Sequence, residues 1–137
     1  MKEGFTIIES LVIPSDFESV THVEVLVDKV CNNLGVNEDF YGNVLIAVTE
    51  AVNNAIEHGN NKDALMEVNV FVADNPVEFC FSIKDQGRGF DFENLPDPTS
   101  PENILKENGR GIFLMRNLAD DVEFEDAGRS VNIYFNK

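Results

Sequence analysis

The chain has 137 residues, 43% of them hydrophobic and 11 of them Phe, enough for one domain with a real core and too few for two comfortable ones. Its 10 basic and 25 acidic residues leave a formal charge of −15, a surface that repels a phosphate backbone and argues against direct nucleic-acid binding. No apolar run approaches the length of a membrane span and no signal-peptide regions are recognisable at the N-terminus, so the expectation is a cytoplasmic protein with no membrane partner.

In chain order, Phe5 to Val12 is rich in β-branched and apolar residues and ends at Ile13-Pro14, which predicts a strand. Ser15 and Asp16 then offer N-cap chemistry. Val20, Val23, Val27, Val30 and Leu34 follow at steps of three and four, the stripe of an amphipathic helix closed by Gly35. Cys31 in this helix and the distant Cys80 both lie in apolar surroundings, and read as small buried hydrophobes of a reducing compartment rather than as a disulfide. Asn37 is placed to cap a second helix from Glu38 to His58, stopped by Gly59-Asn60-Asn61. Met66 to Ala73 and Val77 to Lys84 predict a hairpin around Asp74-Asn75-Pro76. Ile112 to Leu118 predicts a short helix, and Val122 to Glu125 and Ser130 to Phe135 a last strand pair around Ala127-Gly128-Arg129. Between Phe92 and Asn108 the chain lacks apolar periodicity. The order predicts an α+β fold: a two-layer sandwich whose mixed, mostly antiparallel sheet carries its helices on one face.

The second helix is the most informative segment. At about 100° per residue, Tyr41, Val44, Leu45, Val48, Val52, Ala55 and Ile56 share one face that must pack on the sheet. Glu50, Asn53, Asn54 and Glu57 lie opposite, with His58 at the edge and near the helix end, where a structural role is the simpler one. Glu50 and Asn54 are an i, i+4 pair that projects side by side. Such a face is ordinarily just solvated. A paired carboxylate and amide also suit phosphoryl transfer, because a Glu can accept a hydroxyl proton and an amide oxygen is a hard ligand suited to Mg²⁺.

Two glycine motifs follow. Asp85-Gln86-Gly87-Arg88-Gly89-Phe90 comes directly after a strand; its glycines permit close backbone approach, and an Asp there can accept from an exocyclic amine such as that of adenine. The plain alternative is a tight turn. In Asn108-Gly109-Arg110-Gly111 the glycines open the third helix, whose first N–H groups make an anion site to which Arg110 adds a charge.

Together, E-x-x-x-N-A-x-x-H-G, D-x-G-x-G-F and G-R-G-I-F-L-M resemble the N, G1 and G2 boxes of the gyrase, heat-shock chaperone, histidine kinase and MutL ATPase superfamily. Within it, the stretch VTEAVNNAIEHGN and the short segment between the glycine boxes look most like the bacterial anti-sigma factors that are serine-protein kinases. The resemblance spans nearly the whole chain and implies a single ATP-binding domain over residues 1–137 with a Bergerat-type fold and an ATP lid at about 91–108. It implies that Asp85 binds the adenine amino group and that Asn54 coordinates Mg²⁺. Gly87 and Gly89 would let the backbone approach the nucleotide; Gly109, Arg110 and Gly111 would meet the phosphates, with Glu50 as general base. The implied cofactors are ATP and Mg²⁺, and the implied partners a sigma factor and an antagonist protein phosphorylated on Ser or Thr; the oligomeric state, a homodimer included, stays open. Two departures stand out. Gly128-Arg129-Ser130 lacks the family's Thr at the entry to the last strand, and the first helix carries Ser19, His22 and Glu24 where an Arg often contacts partners. The other functional readings are a nucleotide-gated binding module without catalysis and a detached histidine-kinase ATPase domain. Glu50 argues against the latter, since a His nucleophile needs no carboxylate base.

Overall fold

The computed structural model describes residues 1–87 and 107–137. Five strands, β1 (Thr6–Pro14), β2 (Glu67–Asp74), β3 (Glu78–Lys84), β4 (Asp121–Glu125) and β5 (Ser130–Asn136), form one sheet in the order β1-β2-β3-β5-β4. All four pairings are antiparallel, where the element order had left room for a mixed sheet. Three helices complete the α+β fold: α1 (Val20–Leu34), α2 (Glu38–Asn54) and α3 (Glu107–Leu118). No helix among the described residues is long and apolar enough to cross a membrane.

Local chemistry accounts for most boundaries. Asp16 Oδ1 accepts from Ser19 N–H at 2.9 Å and starts the short 3₁₀ turn that feeds α1. Gly35 closes α1 in the left-handed conformation (φ 68), and Asn37 Oδ1 caps α2 through Asp39 N–H at 3.0 Å. Asn75 Oδ1 takes the N–H groups of Val77 and Glu78 and turns the β2–β3 hairpin. β1 ends at Pro14, as the Ile13-Pro14 stop leads one to expect, and an edge strand tolerates that residue with no N–H.

The period-2 pattern of the strands decides which face is covered. Val70 and Val72, Phe79, Phe81 and Ile83, and Val131, Ile133 and Phe135 form one buried cluster with Val23, Val27 and Val30 of α1 and Val44, Val48, Val52 and Ile56 of the second helical segment. The expected apolar stripe of α2 is therefore buried, with Tyr41 and Leu45 at its margin. Ala47 and Ala51 are also buried, at 0% and 2% exposure, because α2 lies between α1 and α3 and needs small residues on its flanks as well as large ones toward the sheet. Cys31 and Cys80 are free and buried, and burial pushes their thiols up to about 11 and about 12.

Close packing around α2 predicts two opposite failures. Ile133→Ala should cost about 2–5 kcal/mol by leaving a cavity, and Ala47→Leu about 1–3 kcal/mol by overfilling a helix interface. Val25→Ala, at an exposed position on α1, should stay within about 0.5 kcal/mol. Urea unfolding of the three variants checks the assignment, and a neutral Ala47→Leu would contradict it.

Candidate functional site

The polar side of α2 meets α3 at one point. A Cβ built on Gly111 would stand 2.9 Å from Glu50 Oε2, 3.2 Å from Asn54 Nδ2 and 3.6 Å from Asn54 Oδ1, so glycine leaves open the space over both side chains that any larger residue would enter. Glu50 and Asn54 thus converge one turn apart beneath the start of α3. The Nδ2 of Asn54 is buried with no hydrogen-bond partner among the described residues, a donor that costs free energy until a ligand or water takes it. A cavity of about 580 Å³ opens here, lined by Phe17, Glu50, Asn53, Asn54, Glu57, Lys62, Gly111 and Leu114. That volume falls in the usual range of small-molecule sites.

Beyond Asn54 the helix widens. Instead of continuing as an α-helix to His58, the chain makes a π turn over Ala55–Gly59, with Asn60 N–H donating to Ala55 O at 2.8 Å. The wide turn carries Gly59 onto Asp85, where a Cβ would lie 2.4 Å from the carboxylate carbon. A Cβ on Gly87 would lie 1.6 Å from Gly59 O, so the two backbones pack directly on each other. Asn60, 1% exposed, locks this corner: its Nδ2 donates to Ser15 Oγ and Glu67 O, and its Oδ1 accepts from Gln86 N–H at 2.8 Å.

Asp85 is held from two sides, by its N–H to Arg129 O at 2.9 Å and by Gly87 N–H to its Oδ1 at 2.9 Å. Burial raises its carboxyl above the usual value; the Gly87 N–H and the Arg129 guanidinium pull the other way without cancelling the rise, to which Asp126 adds. A second cavity of about 20 Å³, the room of roughly one water, lies against Asp85, Asn54, Arg129 and Val131. Asn54 lines both cavities, so Asp85 and Glu50 are two ends of one stretch of surface. The smaller end is narrower than a purine, and Arg129 stands at its edge: Nε donates to Gly87 O at 2.8 Å and Nη1 pairs with Asp126 Oδ1 at 3.0 Å.

Ser130 does not line the cavity beside Asp85. Strand alternation turns it to the face opposite Val131, and its buried hydroxyl has no partner among the described residues. Arg129 occupies that wall instead. α3 also begins earlier than expected, at Glu107 rather than Ile112, so Gly109, Arg110 and Gly111 are already helical. Burial of Ile112 and Met115 against the core offsets the roughly 1 kcal/mol that each helical glycine costs. The N–H groups with no partner inside the helix are then those from Glu107 onward, which keeps Gly109 in the first turn and moves Gly111 into contact with α2. Gly89, the side chain of Arg110 and the expected lid as far as Lys106 lie outside the described residues.

Phe17, Lys62, Asn60 and Arg129 were not legible as site residues. Their one sequence signal is position: Asn60 and Lys62 directly follow the helix stop, and Arg129 replaces a residue the family motif leads one to expect.

Two outcomes follow for the apo protein. Gly87→Ala should lose about 3 kcal/mol or more, since the clash is with backbone and not with a side chain that can move. Asp85 has a raised folded pKa, so the stability it contributes is present in acid and lost as pH rises through that value. Asp85→Asn should therefore melt above the wild type at neutral pH, and the gap should close in acid. A wild type that melts higher at neutral pH would show that the carboxylate is stabilised instead.

A family model described as histidine kinase-like ATPase domain matches residues 13–135. The serine-protein kinase RsbW of Halalkalibacterium halodurans is 31% identical over 125 residues, covering 86% of this chain and 76% of the relative. Its counterpart from Bacillus cereus is 32% identical over 139 residues, covering 96% and 85%. Among solved structures, a Mycobacterium tuberculosis chain containing RsbU and RsbW domains superposes with a TM-score of 0.59 at 15% identity, over 94% of this chain and 32% of that one, which supports the fold. The chain belongs to the histidine kinase-like ATPase family, and within it to the RsbW serine-protein kinases.

Proposed function

We propose that this protein is a cytoplasmic anti-sigma factor that binds Mg-ATP, sequesters a sigma factor and phosphorylates an antagonist protein on Ser or Thr. The observation that carries the reading is the convergence of the Glu50 carboxylate and the Asn54 side-chain amide, oxygen included, beneath Gly111. Asp85, at the other end of the same surface, would accept a hydrogen bond from the adenine amino group, with Gly59 and Gly87 keeping side chains out of its way. No group of three or more His, Cys, Asp or Glu among the described residues is arranged to hold a metal ion by itself. One amide oxygen with neighbouring carboxylates is a sparse set of hard oxygen donors, of the kind that would suit Mg²⁺ held jointly by protein and nucleotide. Asn54 would hold that Mg²⁺, and the ion, when bound, neutralises phosphate charge.

The chemistry asks little more of the chain than position and one proton acceptor. A serine or threonine hydroxyl attacks the γ-phosphorus, the bond to the β-bridging oxygen breaks, ADP leaves with that electron pair, and Glu50 takes the hydroxyl proton. The −15 charge suits basic partners and makes capture salt-dependent.

Glu50→Gln keeps size and polarity and removes the acceptor. Incubated with labelled ATP and the antagonist encoded nearby, it should transfer phosphate about 10²–10⁴ times more slowly than the wild type, with ATP affinity nearly unchanged. A wild type that captures its partner with ATP yet transfers nothing would leave a nucleotide-gated binding module. Loss of ATP binding in Glu50→Gln would instead place Glu50 in the nucleotide site.

A further inference from the structure

The larger cavity has the wrong charge for a polyphosphate. Glu50 and Glu57 line it with two carboxylates, and Lys62 is the one cation on its wall among the described residues. Lys62 is held there by the fold. The chain leaves the π turn with Lys62 N–H bonded to Ile56 O at 2.7 Å, and Asn61 and Lys62 both take left-handed backbone conformations (φ 52 and 59). Glycine adopts that region without strain and lysine does not, so the turn fixes where the side chain starts. From there the ammonium lies 5.7 Å from the Phe17 ring centroid and 4.0 Å from Glu57 Oε1, both on the same wall. At 4.0 Å, with the Lys62 side chain 59% exposed, that ion pair is loose and readily exchanged for a stronger one.

We infer that Lys62 is a phosphate-binding residue of this site, its ammonium passing from Glu57 to a phosphate oxygen of the bound nucleotide. The inference rests on the ATP reading above and deepens it. An anion entering beside two carboxylates on a −15 chain meets repulsion, and Lys62 supplies a local counter-charge on a stem long enough to follow the ligand. The partner charge need not be given up in water, because Glu57 is itself partly exposed and stays solvated when released.

Calorimetric titration with Mg²⁺ present tests this on the full chain, using ATP and adenosine at low and at physiological salt. Lys62→Gln should weaken ATP binding about 3–10-fold, the lower part of the charged-hydrogen-bond range because the site is open to solvent. Adenosine affinity should not change, the salt dependence of ATP binding should become shallower, and Lys62→Arg should recover most of the loss. The position is exposed, so the melting temperature without nucleotide should hold in both variants. ATP affinity equal to the wild type in Lys62→Gln, or an equal fall for adenosine and ATP, overturns the assignment: the first means no contact, the second a role in shaping the pocket. A wild type that binds neither ligand overturns the ATP reading itself and Lys62 with it. A wild type that binds ATP keeps the two questions apart.

Discussion

The site depends on a backbone contact between two glycines far apart in sequence. Gly59 closes the π turn after α2, Gly87 follows β3, and the carbonyl of the first sits where the second would carry a Cβ. That approach brings the end of the helix layer down onto the end of a central strand and fixes Asp85 between them. The contact is not self-supporting, since bringing two backbones together buries peptide groups that need partners. Asn60 supplies them, bonding to Ser15, Glu67 and Gln86 at once, so that the β1–α1 connection, β2 and the turn after β3 meet at one buried amide.

Held in this way, the site carries costs that folding alone would remove. Asp85 is a partly desolvated carboxylate with a raised pKa, and Asn54 keeps a buried amide with no partner among the described residues. Four residues, Asn61, Lys62, Asp126 and Ala127, take left-handed backbone without being glycine, and all lie in the two turns that border the cavities. Unsatisfied groups and strained backbone concentrated in one region, over a core that elsewhere follows its periodic pattern, are the physical mark of a binding surface.

The regular part of this molecule was legible because burial follows period. The valine stripe of α1, the alternation in β2, β3 and β5, and the caps at Asp16, Gly35 and Asn37 each declare themselves locally. The pairing of Glu50 with Asn54 was legible for the same reason, as a helical i, i+4 relation. What escaped was set by tertiary contact. The start of α3 was misplaced because glycine propensity favours a loop, while Ile112 and Met115 packing on the core favours a helix. Ala47 and Ala51 look like fillers until α1 and α3 are known to flank α2. Nothing local distinguishes Arg129 from Ser130 as the wall of the Asp85 cavity; only the strand register does.

On the ATP reading, the geometry would also tie base binding to phosphate binding. Asn54 lines both cavities, so a group that binds at the Asp85 end and a group that binds at the Glu50 end share one side chain. Gly111 brings α3 against that side chain from above, and Gly59 brings the turn after α2 against Asp85 from the other end. A nucleotide bridging the two ends would therefore touch α2, the turn after β3 and α3 together. The smaller cavity is the constraint on that bridge. At about 20 Å³ it would take a base only if its edge moved, and Arg129 stands at that edge, hydrogen-bonded to Gly87 O and Asp126 Oδ1. Where the family motif leads one to expect a short threonine, this chain places a long cation whose departure from Gly87 would both enlarge the pocket and remove a positive charge from beside Asp85. On the ATP reading, base entry at this end would bear on Asp85 itself, because the Arg129 guanidinium is one of the groups that pull its carboxyl down against burial.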